Sequence, residues 1–124
     1  MSLDQFEAEA SLPPKIITCA IGSLTETSKN KPVKIGAGNV AALCADGDEI
    51  IGLCETVDNS VVGVKLAGIC ECTYTGSDPA IGRSKLVADG AGTVKVDGGS
   101  SHPSLLVIAV DTTNKLVTFI LNTA

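Results

Sequence analysis

The stretch that decides the fold is residues 61–75, VVGVKLAGICECTYT. It is rich in valine, and in its second half two kinds of residue occupy alternate positions. Ile69 and Glu71 are at odd-numbered positions, and Cys70 and Cys72 are at even-numbered positions. Successive side chains of a β-strand point to opposite faces. The stretch therefore predicts the longest strand of the chain, with Cys70 and Cys72 directed into a core and Glu71 directed toward solvent.

Two thiols on one face of a strand raise the question of a metal site. A structural zinc site takes four ligands, usually in two closely spaced pairs. The other three cysteines are isolated from one another, and the single histidine, His102, lies in the polar segment GGSSHPS. A Cys–His nucleophile is also disfavoured, because no helix N-terminus or cluster of cations is predicted to activate a thiolate. We therefore expect buried, free cysteines, no metal, no cofactor and no catalytic residue.

The same strand-and-turn pattern continues on both sides of residues 61–75. KIITCAI (15–21) is rich in β-branched residues and predicts a strand. Residues 33–57 predict short strands that are interrupted at Gly36, at Gly38 and at the turn DGDE. Within them, Val40–Cys44 is compatible with either helix or strand. RSKLVAD and TVKV predict one hairpin, and LLVIAV and KLVTFIL predict a second.

Seven to nine short strands are expected, at intervals of about 8–12 residues, which is typical of a small antiparallel β-barrel or sandwich. A parallel α/β fold would need helical crossovers that this sequence does not suggest. We predict an all-β chain. Residues 1–14 form an N-terminal arm in this interpretation, and residues 15–124 form a single β domain.

Two kinds of turn segment contain residues that could bind a ligand. Asp46, Asp48 and Glu49 in CADGDEI offer carboxylates for calcium or acid–base chemistry, but the remaining ligands of an EF-hand are missing. The glycine pairs in GAGN (36–39) and DGAG (89–92) lack the helix or lysine that a phosphate-binding loop needs. We interpret these segments as solvated turns, because Asp and Gly are favoured there.

Composition excludes several classes of partner. The formal net charge is −5 and the nine basic residues are scattered, which argues against nucleic-acid binding. The N-terminus lacks the positive start and apolar run of a signal peptide, and the two apolar runs near the C-terminus are too short for a membrane helix. An odd number of cysteines, five, favours assembly in a reducing cytoplasm.

Two segments carry apolar residues that one barrel core does not explain. The last predicted hairpin is apolar on both faces, so one face is expected to cover the core and the other to contact a partner. The acidic N-terminal arm ends at two prolines and either orders on contact with a partner or is a frayed terminus. We predict an oligomer or larger assembly, with interface residues Leu3, Phe6, Leu12, Phe119 and Leu121.

The order of the segments between residues 33 and 121 resembles the head decoration (capsid cement) proteins of tailed bacteriophages and prophages. In that family an IG strand, a V-x-V-x-L-x-G strand, a P-A-I-G turn, a K-L-V-x-D strand and a final apolar hairpin follow one another. Here these segments are Ile51–Gly52, Val62–Gly68, Pro79–Gly82, Lys85–Asp89 and Leu105–Leu121.

The resemblance implies a non-enzymatic structural protein of the virion. Such a protein binds the major capsid protein on the outer surface of the head, commonly as a homotrimer, and stabilises the shell. The resemblance implies no catalytic residue, and the charge and the short apolar runs described above argue against a nucleic-acid or membrane partner. Another phage structural component, from the tail or baseplate, is the first alternative, and a soluble ligand-binding β-barrel is the second.

Overall fold

A computed structural model of the chain describes residues 14–97 and 104–122, and within them the fold is nearly all β. Helical structure in these residues is confined to two 3-10 turns, at Glu26–Ser28 and Ala37–Asn39. The strands are β1 (Lys15–Ala20), β2 (Pro32–Gly36), β3 (Val40–Leu43), β4 (Gly52–Val57), β5 (Val61–Thr75), β6 (Gly82–Ser84), β7 (Leu86–Ala88), β8 (Val94–Val96), β9 (Leu105–Asp111) and β10 (Leu116–Asn122).

Five of the strands close into a barrel. In order around the barrel these are β1, β3, β2, β4 and β5, and β5 pairs again with β1. The pairings are antiparallel except between β1 and β3, which meet in parallel at Ala20 and Val40. Closure protects the backbone groups that a sheet edge would otherwise expose. The all-β prediction is confirmed.

Strand β5 connects the barrel to a second sheet. Its first half pairs with β1 and β4, and from Ala67 to Thr73 it pairs with β10. Strands β9 and β6 extend the sheet beyond β10. The end of β5, Tyr74 and Thr75, pairs in parallel with β8, which forms a hairpin with β7. The predicted long strand and both predicted hairpins are therefore confirmed.

Two clusters of buried side chains lie on either side of this connection. The first fills the barrel and the second packs the β5–β10–β9 sheet against the β7–β8 hairpin. Strand β5 contributes buried residues to both clusters, and between the two contributions its residues 65–67 are all half-buried. The barrel cluster is Cys19, Leu24, Val33, Ala41, Cys54, Val62 and Val64. The second cluster is Ile50, Leu53, Cys70, Cys72, Tyr74, Leu86, Val94, Val107, Val117, Phe119 and Leu121.

Two details differ from the sequence prediction. The described residues form ten strands rather than seven to nine, because the segment RSKLVAD is divided at Lys85. Strand β6 before it pairs with β9, whereas β7 after it pairs with β8. The chain changes pairing partner within one apolar run, and periodicity alone does not show such a change. Of the segment Val40–Cys44, which is compatible with helix or strand by sequence, Val40–Leu43 forms β3, because these residues pair with β2 in a hairpin.

Candidate functional site

The five cysteines are buried and unpaired, and no group of three or more His, Cys, Asp or Glu residues in 14–97 and 104–122 could hold a metal ion. Cys70 and Cys72 point into the second core, as the alternation of β5 predicts, and Glu71 between them is exposed. Burial raises the pKa of Cys70 to about 11 and that of Cys72 to about 12. Protonated, enclosed thiols are poor nucleophiles, so these cysteines act as small apolar core residues.

We expect the thiols of the native protein to react slowly with a water-soluble disulfide reagent at pH 8. Burial raises the pKa of Cys44 to about 11 as well, so the thiolate form is scarce in the folded state. Unfolding in denaturant returns each thiol to a pKa of about 8.5 and exposes it. Five thiols should then react rapidly. Fast labelling of the native protein, or fewer than five thiols after unfolding under non-reducing conditions, would contradict this assignment.

The acidic turn after β3 is held by lysines from neighbouring strands. Asp48 accepts hydrogen bonds from the Ala45 backbone N–H at 2.8 Å and from Lys34 Nζ at 3.1 Å. Asp46 accepts one from Lys95 Nζ at 2.5 Å. Their carboxylates therefore bind the turn to β2 and β8, which agrees with the interpretation of this segment as a turn. Glu49, the third acidic residue of this turn, is exposed.

The DGAG segment is also a turn, organised by Asp89. Its carboxylate accepts hydrogen bonds from Thr75 Oγ1 at 2.8 Å, from the Ala91 N–H at 2.8 Å, and from both the backbone and the hydroxyl of Thr93. Partial burial alone would raise the pKa of Asp89, but these hydrogen bonds outweigh it and lower the pKa to about 2. Asp89 thus connects the β7–β8 hairpin to the end of β5.

Another group of polar side chains, which the sequence did not reveal, joins β5 to the β9–β10 hairpin. The Tyr74 hydroxyl donates to Asp78 Oδ1 at 2.6 Å, and Lys115 Nζ donates to the same oxygen at 3.3 Å. Lys115 also lies 5.2 Å from the centre of the Tyr74 ring. The hydrogen bond to Asp78 is the main cause that raises the pKa of Tyr74 to about 12. A phenol held protonated in this way has a structural role.

The structure corrects the placement of two predicted interface residues. Phe119 is 0% exposed and Leu121 is 2% exposed, and both belong to the second core. In the pairing of β10 with β5, Phe119 lies opposite Cys70, whose side chain also points inward. The hairpin is apolar on both faces, so the sequence could not show which face was internal. Leu3, Phe6 and Leu12, together with His102, lie outside the described residues.

The opposite face of the same sheet, which we call the outer face, carries an apolar row. Leu106 of β9 pairs with Ile120 of β10, which pairs with Ile69 of β5, and Arg83 of β6 lies beside Leu106. The register between β9 and β10 shifts beside Thr118, so Ile108 has no partner on β10 and is 42% exposed. Ile69 is 38% exposed. This surface is the candidate functional site.

A cavity of about 420 Å³ opens beside the outer face. Its charged lining residues are Glu49 and Arg83, and most of the rest are aliphatic, including Leu86, Leu106 and Ile120. These residues do not form a nucleophile–base pair or a metal-ligand set, so the cavity does not indicate a reaction class.

Comparison of the sequence with models of known protein families found no match, and neither did comparison with curated proteins. Across residues 14–97 and 104–122, no helix has the length and apolar character needed to cross a bilayer.

Proposed function

We propose that this chain is a structural virion protein that binds the outer surface of a phage capsid and stabilises the head. The observation that carries the proposal is a small, nearly all-β chain whose thiols and clustered carboxylates have structural roles and whose apolar outer face suits assembly rather than chemistry. The order of sequence segments from Ile51–Gly52 to Leu105–Leu121 supports the same assignment by resemblance. The proposed partner is the major capsid protein, and the proposed location is the exterior of the virion.

The proposed mechanism requires no chemistry at a single site. A decoration protein contacts a repeating lattice, and a homo-oligomer, with a trimer favoured by the resemblance, contacts it at several points simultaneously. Each contact can be weak, because linked contacts raise the overall affinity by about 10²–10⁴ without any new interaction. Rigid β-domains suit this role, since little conformational entropy is lost when a preformed surface binds. The bound layer then connects neighbouring capsid subunits and resists expansion of the shell by packaged DNA.

The proposal is tested by co-sedimentation with empty heads of the phage or prophage that encodes the chain. Saturable binding at a fixed number of copies per head is expected, together with a higher temperature of head disruption. Tails and baseplates from the same phage serve as parallel samples. Absence of binding to heads would contradict the proposal, and binding to tails alone would favour the alternative assignment as a tail or baseplate component.

Deleting residues 1–12 is expected to leave the thermal stability of the protein nearly unchanged and to weaken capsid binding. Pro13 and Pro14 separate this arm from β1. Burial of Leu3, Phe6 and Leu12 against a partner would contribute about 1.5–3 kcal/mol each before the cost of ordering the arm. Calorimetry and head co-sedimentation measure the two effects.

A variant with Leu3, Phe6 and Leu12 replaced by serine is the matched control, because it keeps the length and charge of the arm. It should bind as weakly as the deletion variant. Unfolding of the deletion variant would show that the arm belongs to the core. Full binding by both variants would show that the capsid contact lies elsewhere on the protein.

A further inference from the structure

We infer that the outer face joins copies of this chain to one another, with Arg83 of one copy against Glu71 of the next. This inference does not depend on capsid binding, because it follows from the pattern of apolar and charged side chains on the β6–β9–β10–β5 sheet. It identifies the surface on which the proposed homo-oligomer is built.

The apolar part of the face is continuous across the sheet. The side chains of Leu106, Ile120 and Ile69 lie in register on three neighbouring strands, and Arg83 continues the row on β6. Strands are about 4.8 Å apart, so the four-residue row is about 14 Å long. Ile108 lies at the register shift beside the row, and Ile81, immediately before β6, is 65% exposed. A cluster of exposed aliphatic side chains of this kind marks an interaction surface.

The charged residues lie at opposite sides of the row. Arg83 is exposed on β6, and Glu71 is exposed on β5, opposite Thr118. Neither has an ion-pair partner within the part of the chain that the structure describes. Lysine–carboxylate pairs are formed elsewhere, at the turns and at the edges of the sheets. Arg83 and Glu71 instead face outward beside the apolar row, where an opposite charge on a second copy can reach them.

This arrangement is complementary to itself. When a second copy is rotated by a half-turn and placed face to face with the first, the two apolar rows meet. The end of its row that carries Glu71 then lies over the end of the first copy's row that carries Arg83. Arg–carboxylate pairs form two parallel hydrogen bonds and therefore fix the orientation of the copies. Nucleic acid does not fit this surface, because Arg83 is the single cation of the row. A second copy supplies both the apolar area and the opposite charge.

The same contact allows two closed arrangements. In a two-fold dimer the contact is reciprocal, so each Arg83 meets the other copy's Glu71. In a ring of three, the β6–β9 half of each copy lies against the β10–β5 half of the next. The measured mass distinguishes the two arrangements, and both require the Arg83–Glu71 pair.

The test is sedimentation equilibrium of the full-length protein without capsids, using Arg83→Glu, Glu71→Arg and the double variant. Each single reversal places like charges together and should lower the association constant by about tenfold or more. The double variant restores opposite charges in exchanged positions and should recover the wild-type mass. Asp58→Arg, at the exposed turn between β4 and β5, is the matched control and should associate as the wild type does.

Circular dichroism of each variant verifies that the fold is retained, since both side chains are exposed. Ile69→Thr tests the apolar contact independently, because threonine keeps the β-branched shape but adds a hydroxyl, and it should also weaken association. A monomeric wild-type protein would overturn the inference. So would unchanged association of both single variants, or a double variant that associates no better than either of them.

Discussion

Replacing Phe119 by alanine should lower the free energy of unfolding by about 3–5 kcal/mol, the range seen for large aromatic residues removed from a packed core. Phe119 is fully buried in the second cluster and pairs with Val107 of β9 and with Cys70 of β5. The chain contains only one other phenylalanine, Phe6 in the arm, and no tryptophan. Most of the second cluster is aliphatic side chains and cysteines fixed on paired strands, so they cannot move far enough to fill the space.

Urea denaturation measures this effect, and Leu43→Ala provides the control. Leu43 lies at the end of β3 with 40% of its side chain exposed, so its truncation should cost about 1 kcal/mol or less. If Phe119→Ala costs no more than this control, Phe119 is not part of a closely packed core.

The second large effect is expected for Gly52→Ala, which should destabilise the protein by about 1–3 kcal/mol. A Cβ atom at Gly52 would lie 2.6 Å from Val64 Cγ1 and 2.8 Å from the Lys65 carbonyl oxygen. The carbonyl belongs to β5, the strand shared by the barrel and the second sheet. Relief of the overlap requires β4 to move away from β5, which weakens the backbone hydrogen bonds between them.

Gly36→Ala is the matched control for Gly52→Ala. A Cβ atom at Gly36 would meet nothing closer than the Val40 carbonyl oxygen at 3.9 Å. Its backbone is extended, so alanine fits without strain and should leave stability within about 0.5 kcal/mol or raise it slightly. Equal thermal stabilities for the two variants would show that β4 and β5 are not in close contact at Gly52.

Local patterns in the sequence were sufficient to predict the strands and turns. The alternation in residues 61–75 gave the direction of Cys70, Cys72 and Glu71, because a strand has a fixed period of two. The DTTN segment marked the final hairpin, and Asp with Gly marked the turns at 46–48 and 89–92. These features depend on neighbours in sequence, so composition and order reveal them.

Features that depend on distant partners could not be predicted. The closure of the barrel requires β1 to pair with both β3 and β5, and no residue of KIITCAI specifies two partners. The division at Lys85 and the contact of Tyr74 with Asp78 and Lys115 also arise only when separate segments meet. Phe119 and Ile120 are both apolar, so the internal face became known only from their pairing with β5 and β9.

The central claim is that the protein decorates the exterior of a phage head, and electron cryo-microscopy of heads with and without the protein tests it most directly. The account predicts additional density on the outer surface, repeated at equivalent lattice positions and large enough for an oligomer of this 124-residue chain. Heads incubated without the protein should lack that density. Identical maps for the two samples would contradict the claim, as would density confined to the tail vertex or to the inner surface of the shell.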